Sequence, residues 1–368
     1  MKKLLALVLA LVMSMSLVTI SNAAFKDADK IDYKEAVDVM NAVGVFIGDE
    51  KGNFNAKENL TREQAAKIIA YLELGSKAAD ALVGGATFTD VASTRWSAGF
   101  VGYCAQAGVV SGYDGKFDPA GQLTALQFGK MLLVELGYDA KAEGMVGTDW
   151  AINTSKLMAS TKLMDKIDGS VNQVLTREKA AQMTLNALKA PMVTYDTKGS
   201  TIVVDGTKIN FGASVAKYET STIAKDQNIS SQKLTSGEYT VELGEKLYKD
   251  LKKNSTTDAF ERPATEWMLK AKSIGTYADA ADLSYTATVE IGTIYSDLGL
   301  SKGIDDSKVT YYEDGRNQSS TWTQDIVKGS KVEKGGNGTL LEVYYNDDAE
   351  SLTVIAINTY VGKMPAAS

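Results

Sequence analysis

The residue types in this chain exclude most catalytic chemistry. Histidine is absent from all 368 residues, and Cys104 is the one cysteine. Ser-His-Asp and Cys-His nucleophiles, histidine-ligated zinc, thiolate metal clusters and an intramolecular disulfide are therefore excluded. The sequence also lacks an Asp-x-Asp-x-Asp-Gly calcium loop and a Gly-x-x-x-x-Gly-Lys phosphate loop. A lysine nucleophile or a carboxylate pair stays open, but nothing singles out two of the 46 acidic residues. We therefore expect neither an enzyme nor a cofactor or metal site.

An N-terminal leader and the charge balance indicate the compartment. Residues 1–24 combine Lys2 and Lys3 with an apolar stretch over 4–18 and a small-x-small cleavage signal at 21–23, which is typical of a secretory signal peptide. The apolar stretch is shorter than the roughly 20 residues that a spanning helix needs, so a membrane anchor is the weaker alternative. The net charge of −7 argues against a nucleic-acid partner, which requires a clustered basic surface. We therefore expect a secreted protein without a transmembrane anchor.

A helix-turn-helix pattern is repeated behind the leader. Each copy begins with an aromatic-led helix, bends through glycines or their replacements and an Asp/Gly turn, and ends in a second helix opened by threonine. We place the copies at residues 25–75, 88–138 and 145–190. The third copy is degenerate, because Thr161 and Asp165 stand where the first two copies carry glycines. One such unit cannot bury its apolar face alone, so the copies are expected to pack against each other.

The second helix of each copy has a recognisable start. Thr61 with Gln64, and Thr124 with Gln127, match the capping box ahead of apolar residues at helical spacing. The third copy keeps the cap threonine, Thr176, but lacks the Glu or Gln that completes the box. We therefore predict three similar helix starts, of which the third is less firmly fixed.

The chain changes character at Pro191, which cannot continue the preceding helix. Residues 191–368 alternate Thr, Val and Tyr between Gly, Asn and Asp turns, a pattern typical of strands. We predict hairpins over 201–211 and 340–360, and a helical turn or two over 294–300. Shorter strand candidates are 239–243, 265–270, 285–291 and 309–312. The predicted fold class is a multidomain α + β chain, in which an α-helical three-repeat unit precedes a mainly antiparallel β domain.

The repeated motifs resemble the S-layer homology domain family over about residues 25–190. Openings at Phe25-Lys26-Asp27 and Phe88-Thr89-Asp90, then Trp96, the Gly-x-x-x-Gly bends, Tyr113–Pro119 and Thr-Arg-Glu occur in the family's order. The resemblance implies a pseudo-threefold helical spindle whose grooves bind a secondary cell-wall polysaccharide attached to peptidoglycan. That polymer commonly carries an acidic pyruvyl ketal.

The resemblance also implies which residues line the grooves: the arginine of the second helix, the aromatic residue of the first helix and the glycine-turn loop. These are Arg62, Arg177, Trp96, Trp150, Tyr33, Gly48 and Gly112. A planar guanidinium can hold a carboxylate through two hydrogen bonds, and an indole can cover the apolar face of a sugar ring.

Purely structural roles are the alternative for each of these residues. The arginines would pair with acidic residues across the bundle, the tryptophans would be core, and the glycines would only form turns. The second copy carries Ala125-Leu126 in place of Arg-Glu. We therefore expect its groove to lack the contact to an acidic ligand.

These observations predict a non-catalytic protein of the cell wall or S-layer, anchored by its helical repeats. Segments 258–265, 274–279, 341–345 and 357–361 are similar to parts of surface proteins of gut clostridia that bear the same repeats. The β domain is expected to face outward as a structural or adhesive module, with self-association in a surface layer as a further contact. An anchored extracellular glycan-active enzyme and a secreted adhesin are the alternatives.

Overall fold

The computed structural model describes residues 25–84, 88–197, 200–204, 207–212, 214–222, 229, 231–320, 326–327, 338–347 and 349–359. The predicted leader, residues 1–24, lies outside them. The chain divides into two compact units. The first comprises the described residues within Ile20–Lys253 together with Trp267–Gly275, and the second comprises Asn254–Glu266 and the described residues within Thr276–Ser368. Within these described residues, a helix of the length and apolarity that a membrane span requires does not occur.

The three copies each supply two helices to the first unit. These are α1 (Lys34–Ala42) and α2 (Arg62–Leu74), α4 (Ala98–Gln106) and α5 (Ala125–Glu135), and α6 (Trp150–Ser160) and α7 (Arg177–Lys189). A 3-10 turn, Ala28–Lys30, precedes α1, and the short helix α3 (Ser76–Ala79) follows α2.

The predicted capping boxes are confirmed in the first two copies. The Thr61 hydroxyl accepts the Gln64 N–H while the Gln64 side chain accepts the Thr61 N–H, and Thr124 and Gln127 repeat this exchange. In the third copy the buried Thr176 hydroxyl has no hydrogen-bond partner among the described residues. This helix therefore lacks the side-chain cap that the first two copies have, in agreement with its less firmly fixed start.

A closed ring of backbone hydrogen bonds joins the copies. The Leu60 N–H donates to the Leu175 carbonyl (2.8 Å), Leu175 donates to Leu123 (2.9 Å), and Leu123 donates back to Leu60 (3.0 Å). All three leucines are buried, and each stands directly before the cap threonine of a second helix. This closure gives the pseudo-threefold arrangement and brings each second helix against the loop of another copy.

The bend after the first helix differs from the prediction in the third copy. Gly44 and Gly108 have φ of 78° and 76°, and each donates its N–H to a carbonyl three residues earlier. Lys162, with φ of 55°, makes the equivalent bond. Thr161 is the last helical cap residue, one position before this bend. Lysine therefore occupies the left-handed conformation that glycine adopts without strain.

Helix α7 ends at Lys189, as predicted, but the first unit continues beyond Pro191. It includes β1 (Val193–Thr194), the hairpin β2 (Ser200–Val204) and β3 (Thr207–Phe211), β4 (Lys217–Tyr218), β5 (Thr220–Ser221), β6 (Tyr239–Thr240) and helix α8 (Leu243–Leu247). The fully buried Trp267 donates its indole N–H to Glu35 of α1 at 2.8 Å. Tyr248 donates its hydroxyl to the Leu72 carbonyl of α2 at 3.2 Å. Both contacts lie within the first unit.

The remaining elements confirm the mainly antiparallel β class. They are β7 (Leu251–Thr257), β8 (Pro263–Leu269), β9 (Lys272–Ala278), β10 (Leu283–Tyr285), β11 (Val289–Glu290), α9 (Ile291–Asp297), a 3-10 turn (Asp306–Lys308), β12 (Val309–Glu313), β13 (Arg316–Asn317), β14 (Ile326–Val327), β15 (Gly338–Asn346) and β16 (Ser351–Thr359). A five-stranded sheet has the order β10-β15-β16-β12-β13, in which β12 and β16 pair in parallel and the other neighbours are antiparallel.

Both predicted hairpins are present. Val204 pairs with Thr207 in the first and Tyr345 pairs with Leu352 in the second, while the turn residues 205–206 and residues 348 and 360 lie outside the described residues. The candidates 239–243 and 285–291 are only partly strand, because α8 and α9 begin inside them. The strands that were not predicted are β1, β4, β5, β7, β9, β13 and β14.

A buried charge network accounts for the segment 258–265. Arg262 is 3% exposed and its guanidinium contacts Asp258 at 2.6 Å and Glu342 at 3.7 Å. The Tyr344 hydroxyl donates to the same Glu342 oxygen at 3.1 Å. These residues satisfy each other inside the second unit, so their role there is structural.

Candidate functional site

Arg62 crosses from the first copy to the loop of the second. It is half-buried, and its Nε and Nη2 donate to the carbonyls of Phe117 (2.7 Å) and Ser111 (3.0 Å). The guanidinium carbon lies 4.6 Å from the centre of the Phe117 ring. These bonds use two of its five N–H groups and leave three without a partner among the described residues.

Arg177 repeats this arrangement between the third and first copies. Its Nε donates to the Phe54 carbonyl (3.0 Å) and its Nη2 to the Ile47 carbonyl (3.1 Å). The guanidinium carbon lies 5.1 Å from the centre of the Phe54 ring. Each arginine therefore fixes the loop of another copy while one edge of its guanidinium stays unused.

Neither arginine takes the predicted alternative of an acidic partner across the bundle. The arginine ion pairs of the described residues are made by Arg95 and Arg262 instead. Burial lowers the pKa of Arg62, while the charges of Asp118 and Asp90 oppose this shift from a distance. Burial lowers the pKa of Arg177 in the same way, and the charges of Glu58, Asp49 and Asp27 oppose this shift. Both guanidinium groups are thus partly desolvated without a carboxylate in ion-pair contact among the described residues.

The two tryptophans each lie beside a lysine of the preceding copy. Lys130 Nζ is 6.0 Å from the Trp150 ring, and Lys67 Nζ is 6.0 Å from the Trp96 ring. Trp96 is 53% exposed and Trp150 is half-buried, so neither is a closed core residue. Burial lowers the pKa of Lys130, because its ammonium is half-buried and has no ion pair among the described residues.

Arg62, Lys130 and Trp150 line one groove of about 400 Å³ that all three copies build. Val109, Met131 and Met145 border it but are almost fully buried, and its accessible apolar wall includes the 46% exposed Val146. Its rim includes Ser111 and the 90% exposed Tyr113. Among the described residues, none of those that line it is acidic. The groove therefore offers two cations, an indole face and an apolar wall to a solute from outside.

Gly48 and Gly112 have a steric role in the loops that face the arginines. A Cβ atom on Gly112 would lie 2.3 Å from the Lys116 carbonyl oxygen and 2.5 Å from the Phe88 ring. On Gly48 it would lie 2.8 Å from both the Asn53 carbonyl oxygen and the Phe25 ring. The two glycines thus permit close packing of each loop, and the flanking Ile47 and Ser111 provide the carbonyls that the arginines bind.

Tyr33 occupies a different environment from the tryptophans. Its hydroxyl donates to Asp168 Oδ1 at 2.8 Å, and Lys179 Nζ lies 3.0 Å from the same oxygen. Burial and the hydrogen bond to Asp168 raise the pKa of Tyr33. The hydrogen bond from Tyr33 and the pairing with Lys179 lower the pKa of Asp168. The predicted aromatic residue of the first copy is thus held by a carboxylate of the third.

The acidic residues after the arginines hold neighbouring copies together. Glu63 accepts two hydrogen bonds from Arg95 (2.7 and 2.8 Å) and one from Ser97. Glu178 accepts the Asp32 N–H at 2.8 Å and pairs with Lys57. Leu126 stands at the corresponding place in the second copy, where it is buried. In each Arg-Glu pair, the arginine thus contacts a loop at the groove, while the glutamate holds two neighbouring copies together.

Lys67 and Lys130 were not predicted as residues of the site. Each stands six residues after a cap threonine, Thr61 or Thr124, which places both on the same face of equivalent helices. This repeated spacing was the available signal. Their pairing with tryptophans of the next copy depends on the closure of the ring.

A pair of buried acids lies away from the grooves. Ser231 Oγ is 2.8 Å from Glu242 Oε2 and 2.6 Å from Glu245 Oε1, and the Thr240 hydroxyl donates to Glu242 Oε1 at 2.6 Å. Three oxygen contacts share two hydroxyl protons, so one carboxyl must carry a proton. Burial, together with the charge of Glu245, raises the pKa of Glu242 to about 7. At 1% and 3% exposure, these carboxyls cannot reach a polysaccharide.

Comparisons with known proteins identify the helical region. Residues 24–66 and 87–127 match the S-layer homology domain. The chain is 28% identical over 210 residues to the Middle cell wall protein of Brevibacillus brevis, covering 55% of this chain and 19% of that protein. It is 33% identical over 153 residues to the Surface layer protein of Brevibacillus choshinensis, covering 39% and 13%.

A third relative agrees with these two. Cell surface glycoprotein 1 of Acetivibrio thermocellus is 31% identical over 102 residues, which are 26% of this chain and 4% of that protein. The chain spans less than a fifth of the length of each of these curated relatives. All three relatives are named for the cell wall or the cell surface. The chain therefore contains S-layer homology domain matches at residues 24–66 and 87–127, as expected for a protein of the cell wall or surface layer.

Proposed function

We propose that the helical repeats hold this chain on the cell wall by binding an acidic secondary cell-wall polysaccharide in the grooves around Arg62 and Arg177. One observation carries the proposal: Arg62 and Lys130 line a single groove beside Trp150, and none of the described residues that line it is acidic. A half-buried cation without an acidic partner gains from binding an anion, because the anion offsets the lost hydration.

The groove fits a charged sugar better than a free inorganic anion. The unused edge of the Arg62 guanidinium can hold a carboxylate through two parallel hydrogen bonds. The Trp150 indole offers a flat apolar face, and the 46% exposed Val146 extends this apolar surface. A sugar ring with an acidic ketal presents both kinds of surface, so it uses the whole groove.

A second groove, around Arg177, is supported by contacts that repeat those around Arg62. Arg177 contacts the loop of the first copy as Arg62 contacts the loop of the second, and Lys67 lies beside Trp96 as Lys130 lies beside Trp150. We therefore assign the same ligand class to both. In the second copy Ala125 replaces the arginine, so the groove it faces has no guanidinium at this position.

The β region is proposed to be non-catalytic and to face outward as a surface-layer or adhesive module, with self-association of copies as its further contact. The buried Glu242 and Glu245 pair does not favour the alternative of a glycan-active enzyme, because a polysaccharide cannot reach it. The second alternative is a secreted adhesin. It differs from the proposal in one measurable property, because it would not bind the cell wall.

Sedimentation with purified wall sacculi tests the proposal. The mature chain is mixed with sacculi before and after acid extraction of the secondary polymer. We expect the protein to pellet with the intact sacculi and to stay in the supernatant after extraction. Binding that survives complete extraction contradicts a polysaccharide ligand, and absence of binding to intact sacculi favours the adhesin alternative.

A further inference from the structure

The Phe-Thr-Asp opening of the second copy holds the loop of that copy. Asp90 Oδ1 accepts the Phe117 N–H at 2.8 Å, and Oδ2 accepts the Asp118 N–H at 2.7 Å. The Phe88 ring stacks on the Phe117 ring with 5.4 Å between the ring centres. These hydrogen bonds, above all the one from Phe117, hold the pKa of Asp90 below its usual range. Asp90 is therefore ionised at neutral pH, and both hydrogen bonds are charge-assisted.

The peptide unit between Phe117 and Asp118 joins this carboxylate to Arg62. Its N–H is the one that donates to Asp90 Oδ2, and its carbonyl accepts Arg62 Nε at 2.7 Å. Hydrogen bonds in such a chain polarise one another, because the carboxylate strengthens the carbonyl as an acceptor. Asp90 is thus connected to a guanidinium of another copy through a single peptide unit.

The first copy repeats this arrangement for Arg177. Asp27 Oδ1 accepts the Phe54 N–H at 2.7 Å, and Oδ2 accepts the Asn55 N–H at 2.8 Å. The carbonyl of the peptide unit between Phe54 and Asn55 accepts Arg177 Nε at 3.0 Å. The Phe25 ring contacts the Phe54 ring, with 5.2 Å between the ring centres. Two copies therefore build the same chain of carboxylate, peptide unit and guanidinium.

The third copy lacks both ends of this chain. In the first two copies the aspartate stands six residues before the aromatic residue of the first helix, whereas Gly144 stands six residues before Trp150. The loop of the third copy meets Ala125 instead of an arginine, and its Gln173 carbonyl accepts the Ala125 N–H at 3.0 Å. A loop thus closes against the second helix of another copy without the aspartate. The aspartate occurs in the two copies whose loops receive an arginine, which indicates that it serves the guanidinium.

We propose that Asp90 and Asp27 are positioning residues of the two grooves, each of which orients the arginine of another copy through the peptide unit that it binds. This inference rests on the proposed function. Because loop carbonyls hold Nε and Nη2 of Arg62, its opposite edge is kept in one orientation for two parallel hydrogen bonds to a ligand carboxylate. A negative side chain therefore strengthens the binding of a negative ligand, which is the opposite of the effect of its charge alone.

Titration of the full-length mature protein with a methyl hexopyranoside that carries one pyruvyl ketal tests this. The indole N–H signal of Trp150 reports on the Arg62 groove, and that of Trp96 reports on the groove assigned to Arg177. Both dissociation constants are measured in one sample, so each groove is the internal control for the other.

The variants separate position from charge. Asp90→Asn and Asp27→Asn keep the shape of the side chain but remove its charge and one of its two acceptor oxygens. Asp114→Asn is the matched control, because it removes an exposed carboxylate from the loop of the second copy at a φ of 50°, which asparagine tolerates. Asp90→Glu and Asp27→Glu keep the charge but displace the oxygens, and they replace any asparagine variant that loses the helical circular dichroism spectrum.

We expect Asp90→Asn to weaken binding at Trp150 about three- to tenfold and to leave binding at Trp96 unchanged, and Asp27→Asn to do the reverse. The glutamate variants should show the same groove-specific loss, and Asp114→Asn should bind at least as tightly as the parent. If the Asp90 variant binds equally or more tightly at Trp150, or if both signals lose affinity together, the inference is overturned and the proposed function stands. If neither tryptophan of the parent responds, the proposed function fails and the inference fails with it.

Discussion

Replacing Arg62 separates its structural role from its proposed ligand role. Arg62→Ala removes two hydrogen bonds to the loop of the second copy, at 2.7 and 3.0 Å, and the contact with the Phe117 ring. Each hydrogen bond contributes about 0.5 to 1.5 kcal/mol net, so we expect the free energy of unfolding to fall by about 1 to 3 kcal/mol. Half of the side chain is buried, which limits solvent screening of this effect.

The same substitution should also lower the affinity for an acidic polysaccharide. A charge-assisted contact to a ligand carboxylate contributes about 1.5 to 3 kcal/mol, so Arg62→Ala should weaken binding roughly tenfold to a hundredfold. Arg62→Lys keeps the charge but loses the planar fork, so its affinity should lie between those of the parent and the alanine variant. Arg177→Ala should behave like Arg62→Ala, because its contacts are equivalent.

Calorimetry with a pyruvylated wall fragment measures these affinities, and circular dichroism checks the helical content of every variant. Leu126→Met is the control, since it changes a helix start that already lacks arginine and nearly conserves the buried volume. We expect its affinity to equal that of the parent. If both arginine-to-alanine variants fold normally and bind as tightly as the parent, the arginines are structural and the groove assignment is wrong.

Four further outcomes follow from the same contacts. Residues 25–190 expressed alone should melt cooperatively with a helical circular dichroism spectrum, and an unstructured fragment contradicts the domain boundary. Residues 25–275 should melt at a higher temperature, because this longer fragment also contains Trp267. Because the pKa of Glu242 is raised from about 4.5 to about 7, the folded state loses stability as the pH rises between these values. Glu242→Gln should therefore be more stable than the parent by about 1 to 3 kcal/mol at pH 8 but not at pH 4, and equal denaturation midpoints at pH 8 refute this. Gly112→Ala should cost about 1 to 3 kcal/mol by chemical denaturation, since its Cβ has no room beside the Lys116 carbonyl, and an unchanged midpoint contradicts this packing. Residues 191–368 should show no hydrolytic or redox turnover, and a turnover that mutation of one acidic pair abolishes overturns this expectation.

The sequence predicted the features that depend on near neighbours. The capping boxes at Thr61 and Thr124 and the end of α7 at Lys189 each require only a few consecutive residues, and the structure contains them. Short segments with apolar and aromatic residues were harder, since periods of two and of 3.6 residues cannot be distinguished over so few positions. For this reason the strand candidates 239–243 and 285–291 extended into the first residues of the helices that begin at Leu243 and Ile291. The helical turn predicted over 294–300 overlaps the second of these helices.

The site required information that no local pattern contains. The aromatic residues and arginines were identifiable by type, but their partners come from other copies and meet only when the ring closes. Tyr33 and Asp168 are 135 positions apart, and Arg62 bonds to a carbonyl 49 positions away. A resemblance to a repeat family predicts three equivalent grooves, but it does not give the contacts that each copy makes with the next.

The most direct test of the central claim is the indole N–H signal of Trp150 during titration with the extracted wall polymer. Two preparations of the polymer are compared, one native and one from which mild hydrolysis has removed the acidic ketals. We predict that native polymer shifts and saturates the Trp150 signal, and that the treated polymer binds at least tenfold more weakly because Arg62 and Lys130 lose their anionic partner. Equal saturation by both preparations, or a Trp150 signal that native polymer does not move, contradicts an acidic polysaccharide in this groove.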